Sequence, residues 1–332
     1  MNFEQGDFKN KKIKEHLAEQ VKAGETGSED LEAFLYSLVT IFEGTVGGSP
    51  LYLVIQNDWG LFSSDDSCKR VLNGIVSKYS DVFGKDGIIN CDSLVAYKGS
   101  ITACVAVWET LKDDIKNHHR FTTDLNRLRD ADWETLLDHK IQLKQDASFY
   151  RARIHYKKDE HLEPKDMGAR ERGDCPPGRA NPEGIPYLYL SEEAKTTFYE
   201  TRVNMHDVVS VGEFRILGAD PLFVEDLTDI DLNDLEILDE DVVKLAKRKL
   251  LIQALSRDMS NPMRRFDSKI EYVPTQFICE YVQLTQNVAG IRFSSSVYNK
   301  GTNVVIFDPG LMHCVNVVDY NIKSLDIKET NA

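Results

Sequence analysis

Six cysteines are spread over 332 residues and no two of them form a CxxC pair. Cys68, Cys91, Cys104, Cys175, Cys279 and Cys314 therefore make neither a disulfide framework nor a ribbon-type zinc site, and reduced thiols are the plain reading. The pair His118-His119 has no ligand partner at metal spacing, so no metal is expected. No apolar run nears the roughly 18 residues needed to cross a bilayer. The first two dozen residues lack the apolar stretch of a secretory signal. A soluble, cytoplasmic protein is the expectation. Basic residues are also in short supply, 40 Lys and Arg against 54 Asp and Glu, for a net charge of −14. Such a surface repels phosphate backbones and anionic lipid, so neither nucleic acid nor a membrane is expected as a partner. GxGxxG, P-loop, GxSxG and HExxH motifs are all missing, which removes the usual support for dinucleotide folds, NTPases, serine hydrolases and zincins.

What is present is ordinary globular composition, 42% hydrophobic and 28% charged, which excludes wholesale disorder. The first 140 residues read as mainly helical. Leu31, Phe34, Leu35, Leu38 and Phe42 share one helical face, with Ser28 as the N-cap and acids in the first turn. Gly44, Gly47, Gly48 and Pro50 are expected to stop that helix. Cys68, Val71, Leu72, Ile75, Val76 and Tyr79 form a second apolar stripe, and Trp108, Leu111 and Ile115 a third. After residue 147 the character changes. FYRARIHY alternates like a strand, a loop rich in charge, Gly and Pro runs from Lys157 to Gly184, and PYLYL reads as a strand. SEEAKTTFYETR reads as a helix and EFRIL as a strand. The acidic stretch from Asp220 to Asp241 reads as a solvated connection into the helix VVKLAKRKLLIQAL. GIRF, NVVIF and VNVVD complete the strands. The pattern predicts an α+β fold, with helical residues 1–140, a second domain at 147–325 and a break between about 135 and 148.

Polar residues stand out in a fixed order. Arg151 lies in FYRAR, Arg179 in the turn-rich PPGRANPEG, Tyr189 at the end of a strand, Glu200 in the following helix, and Ser294-Ser295-Ser296 ahead of a glycine-containing turn. These segments, with YVPTQFICEYV and GIRFSSSVYNKGTNVVIF, resemble the RES domain family, named for its Arg, Glu and Ser residues. The likeness spans roughly residues 147 to 320. EGTVGGSP and the stretch from Trp108 to HHRF resemble, more weakly, the HEPN/RES N-terminal domain that often precedes it. The resemblance implies a helical N-terminal domain followed by an ADP-ribosyltransferase-like fold. It implies a bacterial toxin with NAD as substrate rather than cofactor, consumed by phosphorolysis or hydrolysis. An Xre-type antitoxin is the implied partner, and self-association is left open. ADP-ribosyl transfer to a protein or nucleotide is the alternative activity, and a catalytically silent interaction module a third reading. The Arg-x4–6-His motif of HEPN ribonucleases is absent from residues 1 to 140.

The matched positions carry over as Arg151, Arg179, Tyr189, Glu200 and a serine. Ser295 follows Phe293-Ser294 in the family's aromatic-x-Ser pattern, with the register open by one residue. The chemistry suits these residue types. Breaking the nicotinamide–ribose bond builds positive charge on the ribose, which a fixed carboxylate such as Glu200 stabilises. Arg151 and Arg179 supply planar, permanently charged donors for a pyrophosphate. The Tyr189 ring can stack on nicotinamide, and Ser295 or Ser296 can orient it or a phosphate oxygen. Arg153 and Tyr187 are the alternatives if the strand turns its other face inward. His155 and His206 have no role in this chemistry.

Overall fold

The computed structural model describes residues 3–23, 28–156, 161–228, 230, 232, 237–261, 269–298 and 300–324. Residues 157–160 of the expected long loop, and most of 229–236, lie outside them. The chain forms two compact units, one of Met1–Ala106 with Ile230–Leu251, the other of Val107–Asp229 with Ile252–Ala332. No helix among the described residues is long and apolar enough to cross a membrane.

In the first unit, helices α1 (Lys11–Ala23), α2 (Glu29–Thr40) and α3 (Asp65–Lys78) carry the core. The Ser28 hydroxyl accepts a hydrogen bond from the Leu31 N–H at 3.0 Å, and Glu29, Asp30 and Glu32 fill the first turn of α2. Cap and acids together satisfy free N–H groups and oppose the positive helix end. Leu31, Phe34, Leu35 and Leu38 are buried on α2, and Cys68, Val71, Leu72, Ile75 and Val76 on α3. The glycine-rich segment after α2 does more than stop it. Strand β1 (Phe42–Pro50) pairs antiparallel with β2 (Leu94–Tyr97), with a bulge between Gly44 and Ser49. Gly48 lies so close to the partner that a Cβ there would sit 2.3 Å from the Val95 carbonyl oxygen.

The second unit is built on one eight-stranded sheet. Its strands are β3 (Lys140–Leu143), β4 (Phe149–Ile154), β5 (Leu188–Ser191), β6 (Val208–Ile216), β7 (Leu222–Asp226), β8 (Gly290–Ser294), β9 (Thr302–Ile306) and β10 (Met312–Asn321). They lie in the order β10-β6-β4-β5-β9-β8-β7-β3. All neighbours are antiparallel except β7 and β8. The parallel step needs a long crossover, and the intervening chain holds helices Val242–Ser260 and Val273–Gln286. The acidic stretch expected as a connection is therefore partly a strand. Val224, Glu225 and Asp226 of β7 are all buried, because β7 lies inside the sheet.

The compact units also differ from the expected break at 135–148. The sheet-bearing unit starts at Val107, because the Trp108 indole N–H donates to Asp258 at 2.6 Å and the buried Trp133 ring packs against Trp108 and Tyr281.

The pairing of the central strands positions the site. Strands β4 and β6 pair from Phe149 to Ile154, and β5 and β9 from Leu188 to Ser191. Between β4 and β5 only Tyr150 and Ser191 are in register. The sheet forks there.

Candidate functional site

A cavity of about 740 Å³ opens at the fork, lined by Tyr150, Arg151 and Ala152 from β4 and by Tyr189, Leu190 and Ser191 from β5. Its size suits a small-molecule ligand. Helix α4 (Ala194–Glu200), which leads directly out of β5, ends at the cavity with Thr197 and Glu200. Arg179, Arg202, Met259, Lys269, Tyr272, Phe293, Ser296 and Asn303 complete its polar and aromatic wall.

Glu200 is exposed toward solvent, yet one of its oxygens is firmly held. Oε1 accepts from the Ser295 hydroxyl at 2.7 Å and from the Asn303 amide at 2.6 Å. Ser295 is fixed in turn, its hydroxyl accepting from the Val297 and Tyr298 N–H groups. Asn303 is fixed by the Ser191 hydroxyl, which donates to its Oδ1 at 2.7 Å. Ser191, Ser295 and Asn303 are buried. The carboxylate is thus oriented by three elements at once, and Oε2 carries no hydrogen bond among the described residues. Because α4 ends here, its last carbonyls add negative potential at the same place. Positive charge arising next to Oε2 would meet a preorganised anion.

The rest of the wall has the opposite sign. Among the described residues, Arg151, Arg179, Arg202 and Lys269 line the cavity against the one carboxylate of Glu200, in a chain of net charge −14. Burial, with help from Arg153 and Arg170, lowers the Arg151 guanidinium to about 10. Burial likewise lowers that of Arg179. Both are more expensive to keep charged than surface arginines, which is the condition under which a bound anion repays most. Arg179 donates to the Met259 carbonyl, and its own carbonyl accepts from the Thr275 hydroxyl at 2.6 Å.

Tyr189 lines the cavity, and its hydroxyl is engaged behind it. Its hydroxyl donates to Asn181 Oδ1 at 2.7 Å and accepts from the Ala180 and Asn181 N–H groups at 2.9 and 3.2 Å. The phenol latches the segment that carries Arg179. Gly178 makes the latch possible, since a Cβ there would sit 2.6 Å from the Tyr189 hydroxyl. Desolvation raises the Tyr189 phenol well above its usual range, so it stays neutral.

Of the serine run, Ser295 holds the carboxylate, Ser296 lines the cavity, and Ser294 offers its carbonyl to the Ser260 hydroxyl. Arg151, Arg179, Tyr189, Glu200, Ser295 and Ser296 therefore come together around one fork. Sequence reasoning missed Asn303, Arg202 and Tyr272. Asn303 left a signal, a lone amide opening the apolar strand NVVIF. Arg202 left none: it lines the cavity from a left-handed turn (φ 53°) after α4, a conformation nothing in the residue type announces. Among the described residues no group of three or more His, Cys, Asp or Glu could hold a metal ion.

The model of the RES domain matches residues 148–326, more than half of the chain. The chain belongs to the RES family. The match begins at β4 and takes in the whole fork, with every cavity residue named above. A solved structure, the MbcT–MbcA toxin–antitoxin complex of M. tuberculosis, matches over 56% of this chain and 91% of that chain, at 14% identity and a TM-score of 0.32. No curated protein matches.

Proposed function

We propose that the fork binds NAD and cleaves its nicotinamide–ribose bond, and that this RES protein is a toxin acting by NAD depletion. The observation that carries the reading is the doubly anchored Glu200 carboxylate inside an otherwise cationic cavity. NAD has matching parts, a diphosphate for the arginines and a glycosidic carbon that becomes cationic. In the reaction the C–N bond breaks and its electron pair moves to the pyridinium nitrogen, which leaves as neutral nicotinamide. The ribose carbon takes the positive charge beside Glu200 Oε2. An oxygen of water or of phosphate then bonds to that carbon; with water, one proton is released to solvent. Ser295 and Asn303 act by positioning the carboxylate rather than by touching the ribose. Arg179, held by the Tyr189 latch, grips the diphosphate. The family resemblance supports the toxin role, and with it an Xre-type antitoxin that restrains the enzyme.

The test is incubation of the purified full-length protein with NAD, with and without phosphate, and product identification by mass spectrometry. Free ADP-ribose identifies hydrolysis, its 1″-phosphate identifies phosphorolysis, and a mass increment on protein identifies transfer. Intact NAD with folded protein overturns the reading.

A further inference from the structure

Beside the cavity, on the β4 side of the fork, Arg151 and Arg153 stand together with no paired carboxylate among the described residues, and the charge of Arg170 acts on both. Nη1 of Arg151 and Nη2 of Arg153 both donate to one carbonyl oxygen, that of Gly168, at 2.8 and 2.7 Å. Two guanidinium groups that share a single acceptor stand close together. Arg170 follows two residues beyond that carbonyl and is exposed. Among the described residues no Asp or Glu pairs with any of the three. Asp166 acts on Arg153 only through its charge; its carboxylate accepts from the Glu163 N–H at 2.9 Å and stays exposed on its own turn. The Nε of Arg153 is buried and makes no hydrogen bond among the described residues. Burial and the charge of Arg170 push both Arg151 and Arg153 down from the usual guanidinium range.

A chain rich in acids has no shortage of partners, so two partly buried, unneutralised cations with an idle buried donor are costly unless an anion completes them. The donor types select its chemistry. Neighbouring guanidinium groups match the several oxygens of a phosphoryl group better than a single carboxylate. We propose that Arg153 and Arg170, with Arg151 between them and the cavity, form a phosphoryl-binding subsite distinct from the Glu200 end of the fork. The phosphoryl group has two sources, free inorganic phosphate or a phosphate of the dinucleotide itself, and the inference rests on the NAD reading only for the second.

Inorganic phosphate is the probe. Titrating the full chain with sodium phosphate against sodium chloride at matched ionic strength should give saturable binding by calorimetry. Arg153→Gln and Arg170→Gln should each weaken it at least fivefold. Arg170 is exposed and makes no hydrogen bond among the described residues, so that variant folds without penalty. Arg170→Lys should recover part of the loss. Repeating the titration with ADP-ribose present separates the sources. Persistent phosphate binding identifies free phosphate as the occupant. Displacement by ADP-ribose, with weaker ADP-ribose binding in both Gln variants, identifies the dinucleotide. Phosphate and ADP-ribose affinities unchanged in both folded Gln variants overturn the proposal. Because binding is read without turnover, a protein that holds phosphate through these arginines but leaves NAD intact keeps the subsite and removes the NAD reading.

Discussion

The cavity divides its labour between two kinds of residue, and kinetics can tell them apart. Arg179 and Glu200 are both charged and both line the fork, but a diphosphate is present before, during and after the reaction, whereas the cation exists only at the barrier. Contacts made equally in ground and transition states affect binding more than turnover. Arg179→Lys keeps the charge and loses the bidentate fork. It should raise the KM for NAD more than it lowers kcat, as steady-state kinetics will show. Ser295 and Asn303 meet on one oxygen of Glu200. Ser295→Ala and Asn303→Ala should each lower kcat about ten- to a hundredfold, the net worth of a hydrogen bond to a charged group being about 1.5–3 kcal/mol. The double variant should lose less than the two effects combined, because both act through the same atom. Strict additivity would show that they do not position Glu200 together. The arginines, the glutamate and the serines were legible because charged and hydroxyl side chains at these spacings form a recognisable series. The latch made by the Tyr189 hydroxyl was not. The residue type announces a ring that could stack, but only the fold shows all three hydrogen-bonding directions of its hydroxyl spent on residues 180 and 181.

At the level of elements, the latch and strand β7 make separate predictions. Tyr189→Phe removes the anchor of the Arg179 segment while leaving the ring in place. Hydrogen exchange at the Ala180 and Asn181 amides should quicken, and the KM for NAD should rise with little change in melting temperature. Unchanged exchange would mean the segment is held by other contacts. In β7, Glu225 is fully buried, with Oε1 accepting from the His139 N–H and Oε2 making no hydrogen bond among the described residues. Burial raises its carboxyl to about 8. In the unfolded chain the same group ionises near its ordinary value, so between about pH 4.5 and 8 the folded state holds the extra proton. Stability should therefore fall as pH rises through that window, by on the order of a few kcal/mol. Glu225→Gln should flatten the slope and leave the protein more stable than wild type at pH 8, as denaturant titrations at several pH values will report. An unaltered slope would assign the dependence to other groups. This strand also shows where the sequence was hard to read. LFVED carries the acidic composition of a loop, and only its place inside the sheet, beside a parallel neighbour, makes it strand. FYRAR and NVVIF were legible because apolar and polar positions alternate along them or because their ends are marked by turns.

At the scale of the whole molecule, a chain of net charge −14 carries a cationic fork. The α+β class and the change of character near residue 147 could be read from periodicity, and the family match begins one residue later. The compact unit around the sheet begins earlier, at Val107, because burial of Trp108 and Trp133 depends on partners more than a hundred residues away, beyond the reach of local pattern. Expression of the full chain in bacteria should lower cellular NAD and slow growth, and Glu200→Gln should abolish both effects at equal soluble protein. The central claim is that the Glu200 carboxylate stabilises a cationic ribose. Its most direct test is the rate of nicotinamide release from saturating NAD by wild-type protein and by Glu200→Gln, a change that keeps shape and removes charge. NAD should still bind while kcat falls 10²–10³-fold, about 2.7–4 kcal/mol of lost transition-state stabilisation. Near-equal rates from two folded proteins would contradict it.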